Sequence, residues 1–111
     1  MIEEFKNEKE VVNYLIHLLN SKGNYVWRNN SGIARAKYKG KTRMWRAGIS
    51  GSSDILGIAK DGKFLAVECK YGYNKPSERQ LMFLEEVKSR GGYAIVAYGP
   101  DDIPKELLGG D

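Results

Sequence analysis

The 111-residue chain contains one cysteine and one histidine, and each scarcity excludes a class of chemistry. A lone thiol, Cys69, cannot close an internal disulfide, and no Cys/His spacing matches a zinc site. Cys69 reads as a small core residue. His17 falls off the apolar stripe of its helix, so it lacks the orienting partner that histidine-driven hydrolysis needs. No apolar run approaches the roughly 20 residues that cross a bilayer, and no basic-then-apolar leader is present. The expectation is a cytoplasmic protein with no membrane partner. Internal repeats and low-complexity segments are also missing, and the length suits one domain spanning 1–111.

A further absence is local. No acid occurs between Glu10 and Asp54, whereas Lys22, Arg28, Arg35, Lys37, Lys39, Lys41, Arg43 and Arg46 all do. The net charge of +4 therefore understates how basic one part of the molecule is. Such clustering is the electrostatic footprint of a polyanionic partner.

What is present is a pattern of acids around two short apolar runs. Asp54 precedes Ile55–Ala59, and Phe64-Leu-Ala-Val-Glu68-Cys-Lys70 follows after Lys60-Asp61-Gly62, a hairpin signal. Hard cations such as Mg²⁺ take carboxylate oxygens and keep several waters, so two convergent acids suffice to hold one against a phosphate. Lys70 shares the Glu68 face of its strand. This is the layout of a divalent-metal phosphodiesterase site, and with the basic segment it points to nucleic acid.

Loop length decides whether the acids converge. A two-residue Asp61-Gly62 turn would set Asp54 opposite Cys69 and turn it away from Glu68. A three-residue loop with Gly62 in the left-handed region, a G1 bulge, sets Asp54 across from Glu68. The second register is expected, with both faces of the hairpin covered. Opposed carboxylates repel, so the pairing makes most sense with a cation between them.

Around this centre, Glu3 to Lys22 reads as a helix from the spacing of Val11, Val12, Leu15, Leu18 and Leu19. Glu8 shares that buried stripe and Glu10 lies nearer solvent. Tyr25–Arg28 reads as a strand, followed by an Asn29–Gly32 loop. Arg35, Lys37, Lys39, Lys41 and Arg43 then alternate with other residues, so an extended chain would turn all five one way. With Tyr38 and Trp45 as stacking surfaces, this reads as a ribbon for a phosphate backbone. Gly48–Ser53 is a small-residue loop that lets a phosphate backbone come close. Ser77-Glu-Arg-Gln80 fits a capping box opening a helix to about Arg90, with Gln80 on its packed face, and Gly91-Gly92 ends it. Tyr93–Tyr98 is an apolar strand suited to parallel pairing inside the sheet, and a short Pro104–Leu108 helix closes the chain.

Glu8, Arg28-Asn29-Asn30, Gly48 to Asp54, Glu68-Cys69-Lys70, Ser77-x-x-Gln80 and Gly91-Gly92 together resemble the VRR-NUC family, small nucleases of the PD-(D/E)xK superfamily. The resemblance implies an α/β restriction-endonuclease-like fold, a mixed sheet flanked by helices. It implies that Asp54 and Glu68 ligate Mg²⁺ or Mn²⁺ with the Cys69 backbone carbonyl, that Glu8 supports the metal or its waters, and that Lys70 and Gln80 position the attacking water. Arg28, Asn30, Arg35, Lys37, Lys39, Lys41, Arg43 and Arg46 become the DNA contacts. Two departures stand out: Ser53 replaces the proline of the superfamily name, and Cys69 replaces an aliphatic residue. Stand-alone members resemble junction resolvases that act as homodimers. The expected function is thus a metal-dependent, structure-selective endonuclease on branched DNA. The rivals are a restriction-type endonuclease with sequence-dependent cuts and a catalytically silent DNA-binding or assembly module.

Overall fold

The computed structural model describes residues 4–30 and 32–109, and side chains are described except over 32–38 and 43–47. The first helix, α1 (Glu8–Ser21), starts later than its apolar spacing suggests. Glu3 lies outside the described residues, and residues 4–7 are not helical. Asn7 is the reason: its Oδ1 accepts from the Glu10 N–H at 3.0 Å, while Glu10 Oε1 accepts from the Lys6 N–H at 2.9 Å. A capping side chain satisfies amides that otherwise lack partners, which fixes the start. Val11, Val12, Leu15 and Leu19 form the buried stripe.

After β1 (Tyr25–Arg28) the chain leaves the body as β2 (Gly32–Tyr38) and β3 (Lys41–Ala47), an antiparallel ribbon forming a sheet of its own. Its two-residue turn, Lys39-Gly40, has φ of 50° and 74°, a type I′ geometry matched to strand twist. This turn overturns the one-sided reading of the basic alternation. Pairing of Arg35 with Met44 and of Lys37 with Thr42 sets positions 35 and 37 on the opposite ribbon face from positions 41 and 43.

The chain then returns through β4 (Ile55–Ile58), β5 (Phe64–Cys69), α2 (Glu78–Ser89) and β6 (Tyr93–Ala97). Strand order is β1-β4-β5-β6, antiparallel up to β5 and parallel between β5 and β6, so the fold is α/β with a mixed sheet. The expected parallel pairing of β6 is present, but β6 ends the described sheet rather than lying inside it. The expected hairpin register is also present: Ile55 pairs with Val67 and Leu56 with Ala66, and the Ala59 N–H donates to the Lys63 carbonyl at 2.7 Å around a three-residue loop. Gly62 carries the left-handed φ of 91° that this bulge demands.

Alternate residues of the sheet divide the core. Val26, Ile55, Leu65, Val67, Cys69, Ile95 and Ala97 pack with the α1 stripe, and Ala66 packs with Leu84 and Val87 of α2. The second layer covers only part of its face, contrary to the expectation of a doubly covered hairpin: Ile58 remains 47% exposed and Phe64 44%. Pro100–Asp102 and Lys105–Leu108 are 3-10 helices, the second being the expected short terminal helix, and they lay Ile103 and Leu107 against the α1 side.

Buried Asn24 ties this side together. Its Nδ2 donates to the Leu19 and Leu107 carbonyls at 3.0 and 2.8 Å, and its Oδ1 accepts from the Lys60 N–H at 3.0 Å. Asn24→Ala strands the Leu107 and Lys60 groups, at an expected cost of about 2–4 kcal/mol. Urea unfolding checks this: the midpoint should drop with the slope unchanged.

Candidate metal centre

Three elements each deliver one acid to the same end of the sheet. Glu8 opens α1, Asp54 immediately precedes β4, and Glu68 lies near the end of β5. One ligand atom from each lies within 4.8 Å of the others. Oxygens bound at about 2.1–2.4 Å on opposite sides of a hard cation are roughly 4.2–4.8 Å apart, so the spacing fits one ion held by all three.

The local structure explains why these particular acids converge. The first turn of α1 carries two glutamates, and Glu10 is consumed in capping, which leaves half-buried Glu8 to face the sheet acids. Asp54 is held at both ends. Its Oδ2 accepts from the Cys69 N–H at 2.9 Å, and its carbonyl accepts from the Asn29 N–H at 2.7 Å. The observed hairpin register continues to put Asp54 across from Glu68.

Glu68 is the most constrained of the three. It is 1% exposed, and neither carboxylate oxygen has a hydrogen-bond donor among the described residues. The Lys70 Nζ stands 3.4 Å from Oε2, an ion-pair distance without hydrogen-bond geometry, and Lys70 is itself buried. Burial, followed by the negative charge of Asp54, pushes the Glu68 carboxyl up to about 8, with Lys70 opposing part of the rise. Acid clusters are common on exposed surfaces without a cation, but a buried carboxylate without donors beside a second acid carries a desolvation cost that a cation would offset.

The remaining expected site residues are more scattered. Gln80 closes the α2 capping box, its Oε1 accepting from the Ser77 N–H at 2.8 Å while its own N–H donates to the Ser77 Oγ at 3.2 Å. Arg28 is exposed but donates to Asn13 Oδ1 of α1 at 2.6 Å, along the body of the molecule. Asn30, Lys39 and Lys41 are exposed, and the side chains of Arg35, Lys37, Arg43 and Arg46 lie outside those described, as do Tyr38 and Trp45. The Cys69 side chain points into the α1 core, where burial first, then the nearby acids, push its thiol pKa up.

Two residues outside the expected set position the centre. The Asn29 Nδ2 donates to Ser52 Oγ at 2.7 Å and to the Ser53 carbonyl at 2.9 Å, pinning the loop that delivers Asp54. Ser53, the proline replacement, is fully buried. Gly51 has φ of 80°, and a β-carbon there would sit 2.7 Å from the Arg79 backbone. Its smallness admits the start of α2, a packing role. Arg79 adds a hydrogen bond from Nη1 to Ser50 Oγ at 2.9 Å. Of the expected Asn29–Gly32 loop, Asn29 and Asn30 are irregular, Ser31 lies outside the described residues and Gly32 already belongs to β2; only the tertiary structure distinguishes Asn29 from Asn30.

No family model, curated protein or solved structure matches the chain. The site must therefore be read from its own geometry.

Two outcomes follow. Without metal, the folded protein keeps a proton on Glu68 that the unfolded chain releases near 4.5. That stability contribution is full below pH 4.5 and is lost as pH rises through about 8. Melting temperature in EDTA should thus fall across this window, Glu68→Gln should flatten the fall, and Mn²⁺ should raise wild-type stability most at the alkaline end. Asn29→Ala frees the Asp54 loop and should weaken Mn²⁺ binding about tenfold, measured from the metal-dependent shift in melting temperature.

Proposed function

We propose that the chain is a divalent-metal-dependent DNA endonuclease of the PD-(D/E)xK type, a VRR-NUC-like phosphodiesterase using Mg²⁺ or Mn²⁺. The observation that carries this reading is the buried, donorless Glu68 carboxylate beside Asp54 and Glu8, with the Lys70 ammonium 3.4 Å away. A binding module has no use for such a costly group.

In this reading Asp54 and Glu68 would hold the cation, with the Cys69 carbonyl as a further ligand, and half-buried Glu8 would support it directly or through water. When bound, the cation would lower the pKa of a coordinated water and neutralise charge on the phosphate. Lys70 would stand beside the attacking oxygen, where its side chain can offset the negative charge that builds during displacement. Gln80 would reach the water only by exchanging its cap bond, so its part is smaller than that of Lys70. Asn29 holds the loop that carries Asp54 in place.

DNA is the substrate that the basic ribbon suits. The ribbon is a separate two-stranded sheet with exposed Lys39 and Lys41 at its tip, on a molecule 57 Å long and 33 by 26 Å across. A two-stranded ribbon fits the major groove or tracks a phosphate backbone. Its cationic positions occur on both faces, which suits contact with two strands at once. A homodimer is the form that would cut both strands of a branched molecule symmetrically, and Tyr25, Trp27, Ile58 and Phe64 leave an exposed apolar face that supports self-association.

Labelled four-way junction and matched linear duplex, incubated with Mg²⁺, Mn²⁺ or EDTA, test the reading. Metal-dependent paired cuts at the junction are expected, and Glu68→Ala should reduce cleavage roughly a thousandfold while DNA binding persists. Glu68 is ion-paired with buried Lys70, so Glu68→Gln, which keeps the side-chain volume, and a retained cooperative melt are the controls that make a lost activity report chemistry. Binding without cleavage by the wild type would instead identify a silent DNA-binding module, and cuts fixed to one sequence a restriction-type enzyme.

A further inference from the structure

Directly after Lys70 the chain makes a short turn that has no role in the core. Gly72 has φ of 63°, and the Asn74 N–H donates to the Tyr71 carbonyl at 3.2 Å, closing a turn with glycine at its first central position. The turn is anchored from the neighbouring strand. β5 and β6 end side by side, where the Lys70 N–H donates to the Ala97 carbonyl at 3.0 Å. Tyr98, the residue that follows β6, donates its hydroxyl to the Asn74 carbonyl at 2.6 Å, and its own N–H is held by Asp102 Oδ2 at 2.8 Å.

This bracing presents one ring. Tyr73, at the turn's second central position, is 102% exposed, and no hydrogen bond or ring contact engages it among the described residues. Tyr71 and Tyr98 are partly exposed beside it at 39% and 38%, and Lys75 is exposed one turn of chain further on. An apolar ring held in water on a fixed turn gains nothing for the fold. It has, however, lost its backbone freedom already, so a ligand that covers it incurs little further ordering cost.

Position identifies the ligand. Tyr73 is three residues beyond Lys70, so their Cα atoms are at most roughly 11 Å apart. Stacked nucleotides rise about 3.4 Å each, which puts Tyr73 within about three nucleotides of a phosphate held at the acid cluster. An aromatic ring recognises a base by its π-face, without regard to sequence. We infer that Tyr73 is a specificity-determining residue that stacks on a nucleobase flanking the phosphate to be cut. The inference rests on the nuclease reading above. Bases inside continuous duplex already have both faces covered, so the ring favours DNA in which a base is unstacked, at a branch point, gap or end.

The experiment uses wild type, Tyr73→Ala and Tyr73→Phe with a four-way junction carrying 2-aminopurine beside the mapped cut, in EDTA so that no strand is broken. The wild type should quench the 2-aminopurine fluorescence. Tyr73→Ala should abolish the quench and bind the junction about tenfold more weakly, with binding of linear duplex little changed. Tyr73→Phe, which keeps the ring, should restore both. Unaltered quenching and affinity in Tyr73→Ala would overturn the inference while leaving the nuclease reading standing, as would a Tyr73→Phe variant as weak as Tyr73→Ala. Failure of the wild type to bind or cut either DNA would overturn the nuclease reading and the stacking role with it. The fully exposed position keeps the substitutions out of the core, and matching melting temperatures of the three proteins exclude misfolding as the cause.

Discussion

Ala59 and Lys63 close the β4–β5 hairpin around a three-residue loop, and that closure determines which way every side chain of both strands faces. Side-chain direction alternates along a strand, so one residue fewer in the loop would exchange the two faces of β4 relative to β5. Ile55 would leave the α1 core and Asp54 would turn from Glu68. The hydrophobic division of the sheet and the approach of the acids therefore depend on the same left-handed glycine, Gly62. Folding and site assembly are one event here, because the register that buries Leu65 and Val67 is the register that opposes the carboxylates.

The site sets two demands against each other. Glu68 is positioned by a strand buried to 1% exposure or less over Leu65–Glu68, which gives rigidity, and the same burial makes its charge expensive. Lys70 offsets part of that cost but does not saturate the carboxylate. A core residue chosen for stability alone would be apolar here. Retaining an acid at this depth fits a group whose partner arrives from solution, and the secondary supports of Asp54, through Asn29 and the Cys69 amide, belong to the same arrangement.

What could be read from the sequence follows from how local each cause is. The hairpin register was legible because Lys60-Asp61-Gly62 has few geometries, and only one of them brings two acids together. The α2 cap was legible from Ser77 and Gln80, whose spacing is a local signal. The α1 start was misplaced because apolar periodicity does not register a cap, and Asn7 decides it through one side-chain bond. The ribbon's charge distribution was misread for a related reason: alternation along one extended segment loses its meaning once a turn at Lys39-Gly40 folds the segment on itself. Asn29 and Gly51 were illegible in principle, since their work is done against Ser52, Ser53 and the Arg79 backbone, far along the chain. The partial cover of the sheet by a twelve-residue α2 likewise depends on where one helix comes to rest.

Cys69 carries a consequence of a different kind. It is the sole thiol of the chain, fully buried, and its environment disfavours the thiolate. Thiol reagents act on the thiolate and need access to it. The protein can therefore be handled in air without reductant, and a cysteine introduced on the surface, at the ribbon tip for instance, would be the only one to take a fluorophore or spin label. Motion of the ribbon relative to the acid cluster becomes measurable on an otherwise native background, because the residue that would normally have to be removed first is already shielded by the core it helps to fill.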